Sequence, residues 1–148
     1  MIFQPIISDE INSIIHLNTF PNHIHYEIEL IYCLSGCFLA TAEDQEHEVL
    51  AGDVLLLGSM VTHSVVKAQS DTKVLLIEVG PLFLKEHFSA LTATVIDKPL
   101  YKKQQDSDFA KELRHLLNEI QENSDSFREY GSLIVMGNLY KICALIIK

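Results

Sequence analysis

The sequence predicts a mainly β domain followed by two α-helices, and three observations lead there. Short runs of β-branched and aromatic residues recur up to Val79, with polar or glycine-containing turns between them. No helical period intrudes before Pro81. Beyond Asp106 the apolar residues fall instead at spacings of three and four. Evenly spaced short strands of this kind build a sandwich or a barrel.

The elements follow in order. Residues 2–7 and 13–17 read as the first strands, separated by Ser8-Asp9-Glu10, and Pro5 places the first of them at a sheet edge. Phe20-Pro21-Asn22 reads as a bend into the longest strand, residues 24–34. Ser35-Gly36 reads as a two-residue hairpin turn into Cys37–Thr41. Strands are expected at Glu46–Leu50, Val54–Leu57, His63–Ala68 and Lys73–Val79, divided by Ala42–Gln45, Ala51-Gly52-Asp53, Gly58-Ser59-Met60 and Gln69-Ser70-Asp71. Pro81 opens one or two helical turns, because proline is tolerated at the first helical position. Residues 92–105 read as loop, with a short strand near Thr94–Ile96.

Phe109, Leu113, Leu116, Leu117 and Ile120 form the apolar face of the first long helix. Ser126-Phe-Arg-Glu129 has the capping-box pattern and opens a second helix that runs to the end. From Leu133 to Ile147 its apolar residues fall nearly all the way round, leaving Asn138 and Lys141 as a polar stripe. Such a helix needs two partners. The expected division is a β-domain over residues 1–105, with its short connecting helix, and a helical segment over 106–148 packed on it. One face of the last helix is left for a second subunit, with Leu133, Met136, Tyr140, Cys143 and Ile147 as its expected interface.

Composition narrows the function classes. With 148 residues, 48% hydrophobic and 21% charged, the chain can bury a real core. Its formal net charge of −9 and the lack of any Lys/Arg run argue against a grip on a phosphate backbone. No basic n-region of a signal peptide opens the chain, and no uninterrupted apolar stretch reaches the length of a membrane span, so a cytoplasmic protein with no membrane partner is expected. Cys33, Cys37 and Cys143 lie in apolar segments and read as reduced cysteines.

The chemistry concentrates in His23, His25 and Glu29, which share one parity. On a single strand they would point to one face, two imidazoles and a carboxylate inside an apolar run. Burying them requires mutual pairing, a metal or a ligand. His63, which ends the stretch of Gly52 and the apolar Val54–Leu57 run and is separated from the first cluster by two hairpins, could face them across a small barrel. Three imidazoles and a carboxylate suit Fe, Mn, Ni, Cu or Zn. A hydrogen-bonded polar pocket without metal satisfies the same residues. Glu27 shares the parity and reads as solvated at the rim, whereas His16, His47, His87 and His115 lack partners at ligand spacing. Tyr26 and Tyr32 have the opposite parity and are expected to pack under the helices.

His23-x-His25-x3-Glu29-x6-Gly36 resembles the first cupin motif, with Leu17 where the leading glycine usually stands. Gly52-x10-His63 is similar to the ends of the second motif, although Gly58, Met60 and Lys67 replace its proline, glycine and asparagine. The resemblance implies a double-stranded β-helix, the cupin jelly roll, with His23, His25, Glu29 and His63 as the pocket and as the ligands of a divalent transition metal. The order of barrel, short Pro-led helix and two helices looks like the N-terminal effector-binding and dimerisation domain of AraC-type transcription regulators. That resemblance implies a small-molecule effector, a homodimer and a DNA-binding domain outside this sequence. On that reading the chain is not an enzyme and has no catalytic residue. The alternative is a small stand-alone metal-dependent cupin enzyme, a dioxygenase or isomerase. The ending at Ile-Ile-Lys148, without a glycine or proline stop signal, leaves open whether the native chain continues.

Overall fold

The computed structural model describes residues 2–3, 10–124 and 129–147. Residues 4–9, with Pro5, and the Ser126-Phe127-Arg128 part of the expected capping box lie outside the described residues. The chain divides into two compact units, Met1–Lys103 and Gln104–Lys148.

Among the described residues the first unit holds ten strands. They are β1 (Ile2–Phe3), β2 (Glu10–His16), β3 (Phe20–Ile24), β4 (Ile28–Ser35) and β5 (Cys37–Ala42), then β6 (Gln45–Leu50), β7 (Val54–Leu57), β8 (His63–Ala68), β9 (Lys73–Val79) and β10 (Leu100–Tyr101). They form two five-stranded sheets, one in the order β1-β3-β8-β5-β6 and the other β10-β7-β4-β9-β2. Among the described residues the ladders do not close into a barrel. The core between the sheets takes Phe38, Ala40, Val49 and Val65 from the first sheet and Ile31, Cys33, Leu55, Leu57 and Val74 from the second. β5 alternates buried and half-buried residues, as expected of a strand with one face in the core. β7, Val-Leu-Leu-Leu, is buried at every position, which is why it reads as an unbroken apolar run.

Three expected features change. The strand expected over residues 24–34 is interrupted at His25–Glu27, and the residues on either side belong to different sheets. Phe20-Pro21-Asn22, expected as a bend, is part of β3. Gly36 is likewise no hairpin turn, because β4 pairs with β7 and β9 while β5 pairs with β6 and β8. The chain crosses there from one sheet to the other. Gly36 has φ +79°, and a Cβ on it would stand 2.5 Å from Thr72 Oγ1, so neither the backbone nor the space admits a side chain. The β5–β6 connection is a true two-residue hairpin, with Glu43 and Asp44 both at positive φ. Asp53, buried, accepts hydrogen bonds from the Leu50 and Lys103 backbone N–H groups at 2.9 and 2.8 Å. That accounts for the aspartate beside Gly52: it ties the β6–β7 turn to the segment after β10.

Between Val79 and Leu100 the helical content exceeds the expected one or two turns. α1 (Pro81–Leu84) leads through a 3-10 turn at Lys85–His87 into α2 (Phe88–Thr92), an additional helix. The strand placed near Thr94–Ile96 occurs instead at β10, which pairs with β7.

The second unit is a pair of helices, α3 (Asp108–Asn123) and α4 (Glu129–Ile147). Ser107 caps α3 by accepting from the Ala110 N–H at 3.2 Å. Ala110, Leu113, Leu116, Leu117 and Ile120 are its buried face. Asn138, placed by the sequence on a polar stripe, is buried and donates to Leu116 O at 3.1 Å and Glu119 Oε2 at 2.8 Å, which joins α4 to α3. With a mean hydropathy of 1.6, α4 is long and apolar enough by length and composition to cross a membrane, contrary to the sequence reading. A helix packed in a helical pair meets the same criterion, and Val135, Asn138, Leu139, Ile142 and Ile146 of α4 are buried within the chain.

Candidate metal centre

The interruption at His25–Glu27 carries the chain from one sheet to the other, and the site lies at that crossing. His23 comes from β3 and His63 from β8, where the two are directly paired across the ladder. Glu29 enters from β4 in the opposite sheet, and His25 from the bend between. The Met60 N–H donates to His25 O at 2.9 Å and ties the loop before His63 to that bend. All four side chains are buried, and one donor atom of each lies within 4.8 Å of the others. Metal–ligand bonds of about 2.1 Å place opposed ligands about 4.2 Å apart, so adjustments of a few tenths of an ångström seat an ion.

The hydrogen bonds settle the tautomers. His23 Nδ1 lies 3.0 Å from Pro21 O, His25 Nδ1 3.1 Å from Glu27 O, and His63 Nδ1 2.8 Å from Val61 O. A carbonyl oxygen only accepts, so each Nδ1 carries the hydrogen and each neutral ring has its lone pair on Nε2. The inner atoms are therefore acceptors. Yet His25 Nε2 stands 2.9 Å and His63 Nε2 3.1 Å from the same Glu29 oxygen, Oε2. Three acceptors at such distances need a positive charge among them, either protons or a metal cation. Ring N–H groups held by outer acceptors, with Nε2 turned inward, are the arrangement that orients histidines as metal ligands. The donor set fits a divalent transition metal.

The electrostatics agree. With protons as that positive charge, burial pushes the Glu29 carboxyl up, but the hydrogen bonds and charges of the protonated His25 and His63 rings outweigh it and hold the pKa at about 2. Burial lowers His25, and the Glu29 hydrogen bond and charge raise it by more, so its net shift is upward. Burial and the neighbouring His63 lower His23, which keeps its Nε2 free for a metal.

A cavity of about 290 Å³ opens onto His23, Glu29 and His63. Its other walls are mainly aliphatic, with Ile31, Leu55, Leu57, Val65 and Leu76, and Phe20 lies at the same cavity with its ring edge-on to His23 at 4.6 Å. This volume is at the lower end for small-molecule sites.

Several sequence-level assignments shift. Glu27, expected to be solvated, is buried, with Oε2 3.7 Å from His25 Nδ1 and its side chain against Gly80. Tyr26 is exposed rather than packed, and Tyr32 is buried. His16 is exposed and touches the cavity, while His87 and His115 are exposed beside Glu86 and Glu119. Cys33, Cys37 and Cys143 are free thiols. Leu133, Met136, Tyr140 and Ile147 are exposed on α4, whereas Cys143 is buried. The residue that sequence reasoning missed is Glu78. It lines the cavity from β9, directly opposite Glu29 in the β4–β9 ladder. Burial and the Glu29 charge push its carboxyl up to about 7. Its signal was legible: Glu78 shares parity with Val74 and Leu76, a lone carboxylate on an apolar strand face.

The expectation of a chain without catalytic potential does not hold. A buried three-histidine, one-carboxylate donor set beside a ligand-sized cavity is the equipment of a metal centre able to act on a bound molecule.

Comparison with known proteins gives the family. The model of the AraC-like ligand binding domain matches residues 14–137, most of the chain. The chain belongs to the AraC-like ligand-binding family. Among solved structures, this AraC-like domain is similar to the AraC-like transcriptional activator CuxR, at 16% identity and a TM-score of 0.51. That likeness covers 83% of this chain but 41% of CuxR, so the domain spans well under half of that regulator. A predicted oxalate decarboxylase from Thermotoga maritima is 22% identical over 47% of this chain and 64% of its own, with a TM-score of 0.41. A putative mannose-6-phosphate isomerase from Ralstonia eutropha is 17% identical over 49% of this chain and 86% of its own, also at 0.41. No curated protein sequence matches the chain. These likenesses concern the cupin-like fold; the site is argued from its own geometry.

Proposed function

We propose that this AraC-like domain is a metal-dependent cupin module that binds a small molecule at a divalent transition metal held by His23, His25, Glu29 and His63, and acts on it there. The observation that carries the reading is the shared Glu29 oxygen facing two inward Nε2 atoms whose tautomers are fixed from outside. A bound metal supplies Lewis acidity or, if redox-active, dioxygen chemistry. The chain supplies the rest. Pro21, Glu27 and Val61 carbonyls orient the rings, the aliphatic walls exclude water, and the mouth near Phe20 admits the ligand. Elemental analysis of protein purified from metal-supplemented culture tests it. About one divalent transition metal per chain is expected, and a well-folded protein without metal overturns it.

A second reading is favoured by the family match over residues 14–137: the module senses an effector for a cytoplasmic transcription regulator whose DNA-binding domain lies outside this sequence. Coupling would require the effector to bind two states of the regulator with different affinity. On this reading the chain dimerises through α4. Leu133, Met136, Tyr140 and Ile147 are exposed at spacings of three, four and seven, the seam of a helix pair. Sedimentation should report a dimer, and Leu133→Asp should convert it to monomer without loss of helical signal. A wild-type monomer at high concentration would sink the interface.

A further inference from the structure

Glu78 is the buried carboxyl of the cavity wall that the metal centre does not use. The residue is 7% exposed, lines the cavity, and lies outside the cluster of four ligand atoms. Among the described residues it has no hydrogen-bond or ion-pair partner. A buried carboxyl left without a partner is costly, and such groups at cavity walls are satisfied by what binds there. The ladder fixes where that partner must be. Glu78 stands directly across from Glu29, and opposed residues of an antiparallel pair project to one side, so its carboxyl adjoins the metal position. Beyond it on the same face lies Leu76, with Ile31 and Leu55 across the ladder.

We infer that Glu78 selects the ligand: the cavity takes a small aliphatic 2-hydroxy acid, whose carboxylate reaches the metal, whose adjacent hydroxyl donates to Glu78, and whose alkyl part lies against Leu55 and Leu76. This rests on the metal reading above and adds the substrate class to it. Three features of the cavity meet three features of the ligand. The cation position takes the anion, the unpartnered carboxyl takes the hydroxyl hydrogen next to it, and the apolar walls take the chain. The volume of about 290 Å³ has room for such a ligand. A simple carboxylic acid offers no partner to Glu78 and leaves it unsatisfied, which is how a polar group inside an apolar pocket discriminates.

The test compares 2-hydroxy-4-methylpentanoate with 4-methylpentanoate by calorimetry on the Ni(II)- or Co(II)-loaded protein. The wild type should prefer the hydroxy acid by about tenfold, as expected when a buried carboxyl is otherwise left unsatisfied. Glu78→Leu, an apolar replacement of similar size, should bind both probes with equal affinity. Glu78→Gln, which keeps an acceptor, should retain part of the preference. Both variants should hold the same metal stoichiometry as wild type. A Glu78→Leu protein that keeps the preference overturns the inference, as does one that loses its metal, since Glu78 would then belong to the metal site. Stoichiometric metal with no hydroxyl preference in the wild type overturns this inference and leaves the metal reading standing. Absence of metal overturns both.

Discussion

Truncating Glu29 to alanine should abolish stoichiometric metal binding, with affinity falling by on the order of a thousandfold or more. The magnitude follows from its position. Loss of a group that merely supports a ligand costs about 10- to 100-fold, and Glu29 is both a ligand and the partner of two others. Its one oxygen faces His25 and His63 from the opposite sheet, so without it the imidazoles converge with no anion to offset the cation. Competition against a chromophoric chelator measures the change. Glu29→Gln, which keeps the shape and removes the charge, should fall between wild type and Glu29→Ala. The metal-free protein offers a second readout. Because the Glu29 pKa is depressed from 4.5 to about 2 in the fold, its contribution to stability is complete above pH 4.5. It is lost as pH falls towards 2. Glu29→Gln should lack that stretch of acid sensitivity. Unchanged metal affinity in Glu29→Ala would refute the assigned ligand set.

Removing the metal should lower the melting temperature by about 5–10 °C. Ligand present at a hundredfold its Kd adds about 2.7 kcal/mol to the folded state, and for a chain of this size each kcal/mol shifts Tm by roughly 2–4 °C. The site joins β3 and β8 of one sheet to β4 of the other, so the loss is felt where the two sheets meet. Differential scanning calorimetry with and without a chelator reads it, and re-addition of metal should restore the transition. A Tm indifferent to chelator, in protein shown to carry metal beforehand, would place that metal elsewhere.

The four candidate ligands were legible in the sequence, although the reason for their convergence was not. Equal parity on one strand gave His23, His25 and Glu29, but the strand breaks between His25 and Glu29 and the residues arrive from two sheets. The spacing therefore encodes a crossing rather than a strand face: His25 Nδ1 turns back to Glu27 O just where the ladder stops. Gly36 shows the same limit. Its turn chemistry was evident, but whether the flanking strands pair with each other or with distant ones is decided by the core they enclose. Strand positions from β5 to β9 were readable because each run is short, apolar and closed by turn residues. The short helix α2 and the strand β10 were not, since each is too brief to show a period. Glu78 was missed because a single glutamate near a strand end reads as solvated until its parity is compared with Val74 and Leu76. Asn138 was placed on a polar stripe, and its burial was not legible because its partners, Leu116 and Glu119, lie on another helix.

The central claim is that three imidazoles and one carboxylate share a metal between the two sheets. X-ray absorption at the edge of the bound metal tests it most directly. The account predicts a first shell of nitrogen and oxygen at about 2.0–2.2 Å, with outer-shell scattering that fits three imidazole rings and loses one ring in His63→Ala. A shell of oxygen alone, or one without imidazole scattering, would contradict it.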